Sequence, residues 1–238
     1  MDPTRGRPRR TDPGPRPAEA TSGVSFASSS SAQEMRRLMR RLTEPGDGFF
    51  REPHHFADLQ RRLFVARPTD DEIRVWSATC GCGEEAYSVA MLLADKLPGR
   101  RWRVVGTDAM PARIAQARRA LYAMERARLV PEAYLKSWCL RGTGNHEGQL
   151  LIGPQLRAHS EFEVLDVREP LPAGWPRFDA IFLRHALRGL DEPSRAGIVG
   201  RVIGHLKPDG VLYTGHGESL AALGLPLREL APAIHARA

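Results

Sequence analysis

The chain has 238 residues, of which 42% are hydrophobic, so it is long enough for one α/β domain with a sizeable core and a small appendage. Its net charge is +7 and its basic residues are almost all Arg, a balance that favours a basic face for an acidic protein partner rather than nucleic-acid binding. The 3 cysteines make no disulfide framework or metal-site spacing, and no apolar run could span a membrane. We therefore expect a cytoplasmic protein with no metal and no membrane insertion.

The N-terminal part divides into two predicted segments. Residues 1–31 are rich in Pro, Arg, Ser and Gly and poor in apolar side chains, so we expect a disordered tail. Residues 32–48 are expected to form a short helical segment and a linker, because apolar side chains recur at helical spacing over residues 33–42. Four Arg occupy most of the remaining positions of that helix. They form either the solvated face of a packing helix or a docking surface for acidic helices.

From residue 49 to residue 238, strand-like and helix-like segments alternate. The strand candidates are residues 73–78, 102–108, 162–167, 178–183 and 211–215, and helical patterns include residues 112–121 and 194–206. This alternation predicts an open, doubly wound parallel sheet of the Rossmann type. Residues 233–236 are expected to add a last strand at one edge.

Residues 137–152 interrupt this alternation. Gly142, Gly144 and Gly148 lie between two short apolar runs, which is typical of a hairpin. We therefore expect a hairpin inserted after the second crossover helix.

The turn after the first predicted strand is the first candidate for ligand binding. Residues 79–88 run from Thr79 through two glycines into a helical pattern, a geometry in which the backbone can approach a ligand closely. The turn has neither a dinucleotide-binding nor a P-loop pattern, and Glu84 and Glu85 would repel a pyrophosphate. Paired carboxylates suit hydroxyls, amines or a cation, so the turn favours S-adenosylmethionine (SAM) over a nucleotide.

Polar residues that follow the predicted strands are the next candidates, because ligands bind at the carboxyl ends of parallel strands. Asp108 could accept hydrogen bonds from a ribose diol or cap the following helix. Asp166 could accept from an adenine amine or act as a turn residue. Arg184 could orient a carboxylate, whereas the neighbouring His185 is expected to support the site without acting as a base.

The segment that precedes the sheet domain is a candidate lid. Phe49, Phe50 and Arg51 come directly before the first elements of the predicted domain. We expect this segment to close over the cleft, with its two Phe side chains as packing residues and Arg51 as its functional residue.

Six ordered motifs resemble those of the CheR chemotaxis-receptor methyltransferases, which use SAM to methylate glutamate side chains on receptor cytoplasmic helices. The resemblance covers the chain from about residue 33 to the C-terminus. The motifs are Phe49-Phe-Arg-Glu-Pro-His-His-Phe56, residues 76–88, Thr107-Asp108, Arg141-Gly-Thr-Gly-Asn-His-Glu-Gly148, Phe178-Asp-Ala-Ile-Phe-Leu-Arg184, and residues 206–218.

The resemblance implies a class I SAM-dependent methyltransferase fold, in which residues 137–152 form an inserted small antiparallel β-subdomain. It also implies a set of cofactor contacts. Those contacts fall on Arg51, Glu85, Asp108, Asp166, Val167, Leu183 and Arg184. It also places Arg184 close to the transferred methyl group, as the catalytic residue. It implies receptor helices as substrate, contacted by the basic helix, and in some members a receptor C-terminal peptide held by the 141–148 hairpin. We expect a monomer.

The motifs depart from the family pattern at the cleft. Relatives usually carry Gly at Thr79, Ser-Thr at Gly81 and Cys82, Asn at His185, Tyr at Gly189 and Ser at Gly217; the N-terminal helical region is also shortened. Loss of the Tyr removes an aromatic wall beside the sulfonium. The departures support a second hypothesis, a catalytically impaired module that binds SAM or docks on receptors. Cys80 and Cys82 are expected to be buried, inert thiols.

Overall fold

The computed structural model describes residues 48–65 and 71–238. The expected disordered tail, the helix predicted over residues 33–42 and the linker up to residue 47 lie outside the described residues. In the described part of the chain, no helix has the length and apolar character needed to cross a membrane.

The strands of the described residues form two sheets. In chain order they are β1 (Ile73–Ser77), β2 (Trp102–Asp108), β3 (Leu121–Ala123), β4 (Cys139–Arg141), β5 (Gln149–Ile152), β6 (Ser160–Val164), β7 (Phe178–Leu183), β8 (Leu206–Thr214), β9 (Leu227–Ala231) and β10 (Ile234–Arg237). The main sheet has 7 strands in the order β6-β2-β1-β7-β8-β10-β9. The second sheet has 3 strands in the order β3-β5-β4.

The first five strands of the main sheet, from β6 to β8, are parallel, and β10 and β9 continue it in antiparallel pairs. The chain passes from β1 to β2 and β6 on one side and then returns to β7 and β8 on the other. The strand order therefore reverses between β1 and β7, which is where an open α/β sheet forms its ligand crevice. The predicted doubly wound α/β fold is confirmed.

Helices cover both faces of this sheet. They are α1 (Pro53–Val65), α2 (Glu84–Lys96), α3 (Pro111–Arg119), α4 (Glu132–Trp138), α5 (Pro154–Ala158) and α6 (Glu192–Gly204). One hydrophobic cluster joins the sheet to α1, α2, α3 and α5, and the other joins it to α6. Val75 and Trp76, neighbours on β1, belong to opposite clusters because successive side chains of a strand point to opposite faces.

Two strand predictions are wrong in their placement. The third parallel strand covers Ser160–Val164 rather than residues 162–167, because its partner β2 ends at Asp108, opposite Val164. Asp166 therefore lies beyond the strand. The C-terminal strand β10 is internal, since β9 pairs with its outer side and forms the edge.

The second sheet is antiparallel and lies between α3 and α5 in the chain. Strands β4 and β5 fall inside residues 137–152, the range in which the sequence predicts a hairpin. Strand β3 pairs with β5 from outside that range, with Leu121 opposite Leu151. Strand β4 is an edge strand of this sheet, and Leu140 on it is 54% exposed.

Candidate active site

A cavity of about 370 Å³ opens where β1, β2 and β7 end. This volume is within the range of small-molecule sites in proteins. The structure brings six of the predicted site residues to its wall, namely Arg51, Glu85, Asp108, Asp166, Val167 and Arg184. Leu183 is not among the lining residues, because its side chain is fully buried in the cluster that contains α6.

The turn after β1 forms one wall of the cavity and is fixed to both neighbouring strands. Thr79 Oγ1 donates to the carbonyl oxygen of Arg184 at 3.0 Å, and the Cys80 amide donates to that of Thr107 at 2.8 Å. Gly83 has a φ of +96°, and a Cβ there would lie 2.8 Å from Ala117 Cβ. Glycine is therefore required where the turn enters α2.

Asp108 ends β2, as predicted, and its carboxylate is held by backbone N–H groups. Oδ2 accepts from Gly81 at 3.1 Å and Oδ1 from Met110 at 2.9 Å, while Arg113 Nη1 lies 3.5 Å from Oδ2. Asp108 does not cap α3, since the N-cap residue is Met110. The helix-capping interpretation is wrong, and ribose binding stays a prediction for a carboxylate that lines the cavity.

Arg184 follows β7 and forms ion pairs with two carboxylates at the base of the cavity. Its Nε lies 3.0 Å from Glu52 Oε2, and its Nη1 lies 3.0 Å from Glu85 Oε2. Its side chain is only 3% exposed. Glu85 Oε1 also accepts from the Ser77 hydroxyl at 2.6 Å. The guanidinium is thus fixed between α2 and the segment that precedes α1.

The two carboxylates respond differently to this environment. Burial raises the pKa of Glu85 above its ordinary value, although Arg184 and the Ser77 hydroxyl oppose that rise. Burial acts in the same direction on Glu52, but the charge of Arg184 and the amide of His216 outweigh it, so the pKa of Glu52 is lowered. Glu52 is therefore ionised at neutral pH.

The sequence did not single out Glu52 as a site residue. It lies in the Phe49–Phe56 motif, between Arg51 and the Pro53 that begins α1. Its position depends on a left-handed backbone, with φ of 57°, which no local pattern predicts for Glu. The only available signal was an acidic residue beside the functional Arg51.

The two aromatic residues of the segment expected to close over the cleft are packing residues, as expected. Phe49 is fully buried, and its ring lies 5.0 Å from that of Tyr122. Phe50 is 8% exposed, packs 5.0 Å from Phe56, and donates its amide to Ser88 Oγ at 2.9 Å. These contacts make both rings part of the hydrophobic core, and Arg51 is the member of the segment that faces the cavity.

Asp166 lies in a turn beyond β6, which corrects its predicted place at a strand end. Its Oδ1 accepts from the Arg168 amide and from Nε of the same residue, both at 2.9 Å. The Arg168 guanidinium also donates to Oδ2. These bonds lower the pKa of Asp166 below its ordinary value. The Asp166 carboxylate lines the cavity, but both of its oxygens already accept hydrogen bonds from Arg168.

The two acids and the two cysteines of the turn after β1 have different surroundings. Glu84 is buried and pairs with Arg126, whereas Glu85 pairs with Arg184, so the two neighbouring acids have separate partners. Cys80 and Cys82 are both buried, as predicted. Burial raises the pKa of the Cys80 thiol well above its usual range, which agrees with an inert role.

The doubly wound sheet with acidic residues at its switch point defines a SAM-dependent methyltransferase of class I. A family model described as "CheR methyltransferase, SAM binding domain" matches residues 47–229. The chain therefore belongs to the CheR methyltransferase family and carries its SAM-binding domain. The predicted family and cofactor are confirmed. The donor set agrees with this cofactor, because the carboxylates of Glu85 and Asp108 line the cavity and can accept hydrogen bonds from an ammonium group and a ribose diol.

The curated relatives include chemotaxis methyltransferases from several bacteria. The chain is 36% identical over 193 residues to the "Chemotaxis protein methyltransferase" of Salmonella typhimurium, and the match covers 80% of this chain and 66% of the relative. It is 32% identical over 214 residues to "Chemotaxis protein methyltransferase 2" of Pseudomonas aeruginosa, covering 86% and 74%. The chain thus spans slightly less than two thirds of the length of the Salmonella relative.

The solved structures that resemble this chain have low sequence identity. The glycopeptide N-methyltransferase MtfA in complex with SAM is 19% identical, with a TM-score of 0.40 over 82% of this chain and 60% of the other. A TehB-like SAM-dependent methyltransferase from Corynebacterium glutamicum is 17% identical, with a TM-score of 0.42 over 88% and 97%. The family assignment rests on the sequence relatives and the family model.

Proposed function

We propose that this protein is a protein-glutamate O-methyltransferase that transfers a methyl group from SAM to glutamate side chains on the cytoplasmic helices of chemoreceptors. The observation that carries the proposal is Arg184, a buried guanidinium at the base of the cofactor cavity, between Glu52 and Glu85. A guanidinium is the group best suited to orient a carboxylate. The names of the chemotaxis relatives support the choice of acceptor.

The chemistry needs no general base. Bound SAM supplies an electrophilic methyl group, and a glutamate carboxylate is already ionised at neutral pH because its reference pKa is about 4.3. Arg184 would hold the acceptor carboxylate in line, so its contribution is alignment in a partly dry cavity. Asp108 would accept from the ribose, and Arg51 and Glu85 would contact the cofactor's charged groups. Asp166, Val167 and Leu183 complete the proposed cofactor contacts.

The acceptor is proposed to dock outside the cavity as well. The basic segment of residues 33–42 would face acidic receptor helices through its Arg side chains. The 141–148 hairpin would hold a receptor C-terminal peptide. Support for this second contact comes from β4, an edge strand with exposed Leu140, since an extended peptide can add to such an edge. The protein would act as a cytoplasmic monomer.

The alternative is a catalytically impaired module that binds SAM or docks on receptors. Its main structural support is Gly189, which has a φ of +76° and open space where a Cβ would lie, so no aromatic wall stands there. The relatives are named as methyltransferases and give this alternative no support.

A labelled methyl-transfer assay tests the proposed function. The full chain is incubated with methyl-labelled SAM and an acidic receptor cytoplasmic fragment, and with the same fragment after its acceptor glutamates are changed to Ala. We expect label only on the unchanged fragment, released as methanol by mild alkali because the product is an ester. SAM binding by calorimetry without transfer would select the impaired module. Alkali-stable label would instead show a different acceptor.

A further inference from the structure

Arg184 has more negative charge around it than its own charge requires. Glu85 alone would neutralise the guanidinium, yet Glu52 approaches from another side at the same distance of 3.0 Å. Burying a second carboxylate costs free energy unless its contacts compensate. Arg184 Nε is buried and, within residues 48–65 and 71–238, has no hydrogen-bond partner beyond this ion-pair contact. The Glu52 carboxylate is thus the group that Arg184 Nε contacts in place of water.

Glu52 is itself held firmly. Its backbone is left-handed, with φ of 57°, and Phe50 two residues earlier has φ of 52°. Two unfavourable conformations so close together in the chain persist only where the surroundings impose them. Glu52 Oε1 accepts from the His216 amide at 3.1 Å, and Oε2 lies 3.3 Å from Nδ1 of the fully buried His55.

The two ion pairs hold the guanidinium from two sides. Glu52 lies against Nε and Glu85 against Nη1, and Arg184 also lines the cavity. Glu52 is not among the lining residues, so it acts on a ligand there through a neighbour. Arg184 at 3.0 Å is closer to it than His185 at 4.0 Å.

We propose that Glu52 is a positioning residue, which fixes the guanidinium of Arg184 in the orientation that receives the acceptor carboxylate. This inference rests on the proposed function, because the acceptor is the carboxylate that is methylated. Without Glu52 the guanidinium pairs with Glu85 alone and rotates away from the line of transfer. A misplacement of about 1 Å at a reacting group can lower turnover on the order of 100-fold.

The matched control is Glu72, a carboxylate that pairs with two guanidinium groups. Its Oε2 lies 2.7 Å from Arg74 Nε and its Oε1 3.5 Å from Arg103 Nε, at the opposite end of the sheet from the cavity. Glu72→Gln thus removes a comparable charge where no ligand binds. Glu52→Gln keeps an oxygen for the His216 amide and removes only the charge, whereas Glu52→Ala removes both.

The kinetic test separates turnover from cofactor binding. We expect kcat on the receptor fragment to fall about 100-fold in Glu52→Ala and about 10-fold in Glu52→Gln, and to change less than about 2-fold in Glu72→Gln. The Kd of SAM by calorimetry should stay within about 3-fold in all of them. If Glu52→Ala keeps wild-type kcat, or loses SAM affinity in proportion to kcat, the positioning role is wrong. Absence of transfer by the wild type would instead contradict the proposed function.

A measurement without turnover tests the same inference. In protein labelled with ¹⁵N-arginine, the Nε–H signal of Arg184 should exchange slowly with water in the wild type and in Glu72→Gln. In Glu52→Ala we expect exchange at least about 10-fold faster, because the buried donor loses its partner and water enters. An unchanged rate in Glu52→Ala would overturn the proposal even if the variant were inactive for another reason.

Discussion

The two ends of the central sheet carry the same kind of ion pair in opposite surroundings. At the amino ends of the strands, Glu72 pairs with Arg74 and Arg103, whose side chains are 43% and 42% exposed. At the carboxyl ends, Arg184 pairs with Glu52 and Glu85 and is 3% exposed. The residue types and the distances are similar, and the access of water is the difference.

The buried ion pairs at the crevice and the exposed ion pairs at the other end differ in what they contribute to stability. Exposed pairs typically contribute about 0–1 kcal/mol and tolerate change. Buried pairs carry a desolvation penalty, so apolar residues of similar volume are often as stable or more so. A buried cluster that persists at the ligand crevice, with two left-handed residues beside it, therefore indicates a requirement other than stability.

Removing a buried acceptor at the crevice end should have the largest effect on stability. Glu218 accepts from the amides of His185, Leu187 and Gly215 at 2.7–2.8 Å, all on loops that follow β7 and β8. Glu218→Ala leaves these N–H groups without a partner, so we expect a loss of about 3 kcal/mol in the free energy of unfolding by urea titration. The exposed Glu163→Ala, at the same end of the sheet, is the control, and equal losses in the two variants would show that burial does not set the cost of removing a carboxylate.

The buried histidine beside Glu52 should make stability depend on pH. Burial, followed by the nearby Arg184 charge, lowers the pKa of His55 to about 3, below its ordinary 6.5. Between pH 6.5 and pH 3, His55 is protonated in the unfolded chain but not in the folded chain. The free energy of unfolding therefore falls as the pH drops below about 6.5. From pH 7 to pH 5 we expect the wild type to lose about 2 kcal/mol more than His55→Gln.

Urea titrations at the two pH values measure this difference directly. The exposed His146→Gln serves as the control and should follow the wild type. If His55→Gln loses as much stability as the wild type between the two pH values, then His55 is protonated in the folded protein. Water would then reach His55 despite its burial.

The smallest effect is expected at the amino end of the sheet. Lys207 Nζ donates to both oxygens of Asp179 at 2.8 Å, and both side chains are about one third exposed. Lys207→Gln should change the free energy of unfolding by less than about 0.5 kcal/mol and leave turnover unaffected. A loss above about 1 kcal/mol in the free energy of unfolding would show that solvent exposure does not explain the difference between the ion pairs at the two ends.

The main sheet could be predicted because its local sequence patterns indicate where each buried strand lies and ends. Buried parallel strands appear as short apolar runs, and a polar residue directly after such a run lies at the carboxyl edge, which placed Asp108 and Arg184 correctly. The edge strand β9 escaped notice because Arg228 and Glu229 interrupt its apolar pattern. Asp166 was misplaced because a strand ends where its partner ends, which sequence alone does not state.

The missing parts of the site depend on backbone conformation and on distant partners. Glu52 reaches Arg184 only through a left-handed backbone and an amide 164 residues away, at His216. Phe49 and Phe50 were expected to be packing residues, but the partners that hold them, Tyr122 and Ser88, could not be named from the sequence. Local patterns carry no information about such contacts.

The most direct test of the role of Arg184 is to measure turnover and SAM affinity on one preparation of Arg184→Ala. We expect kcat on the receptor fragment to fall by more than about 100-fold while the Kd of SAM changes by less than about 10-fold. Because Glu52 and Glu85 lose their shared partner, Arg184→Lys is measured alongside as a variant that keeps the charge. An Arg184→Ala variant that is folded and turns over at the wild-type rate would contradict the account.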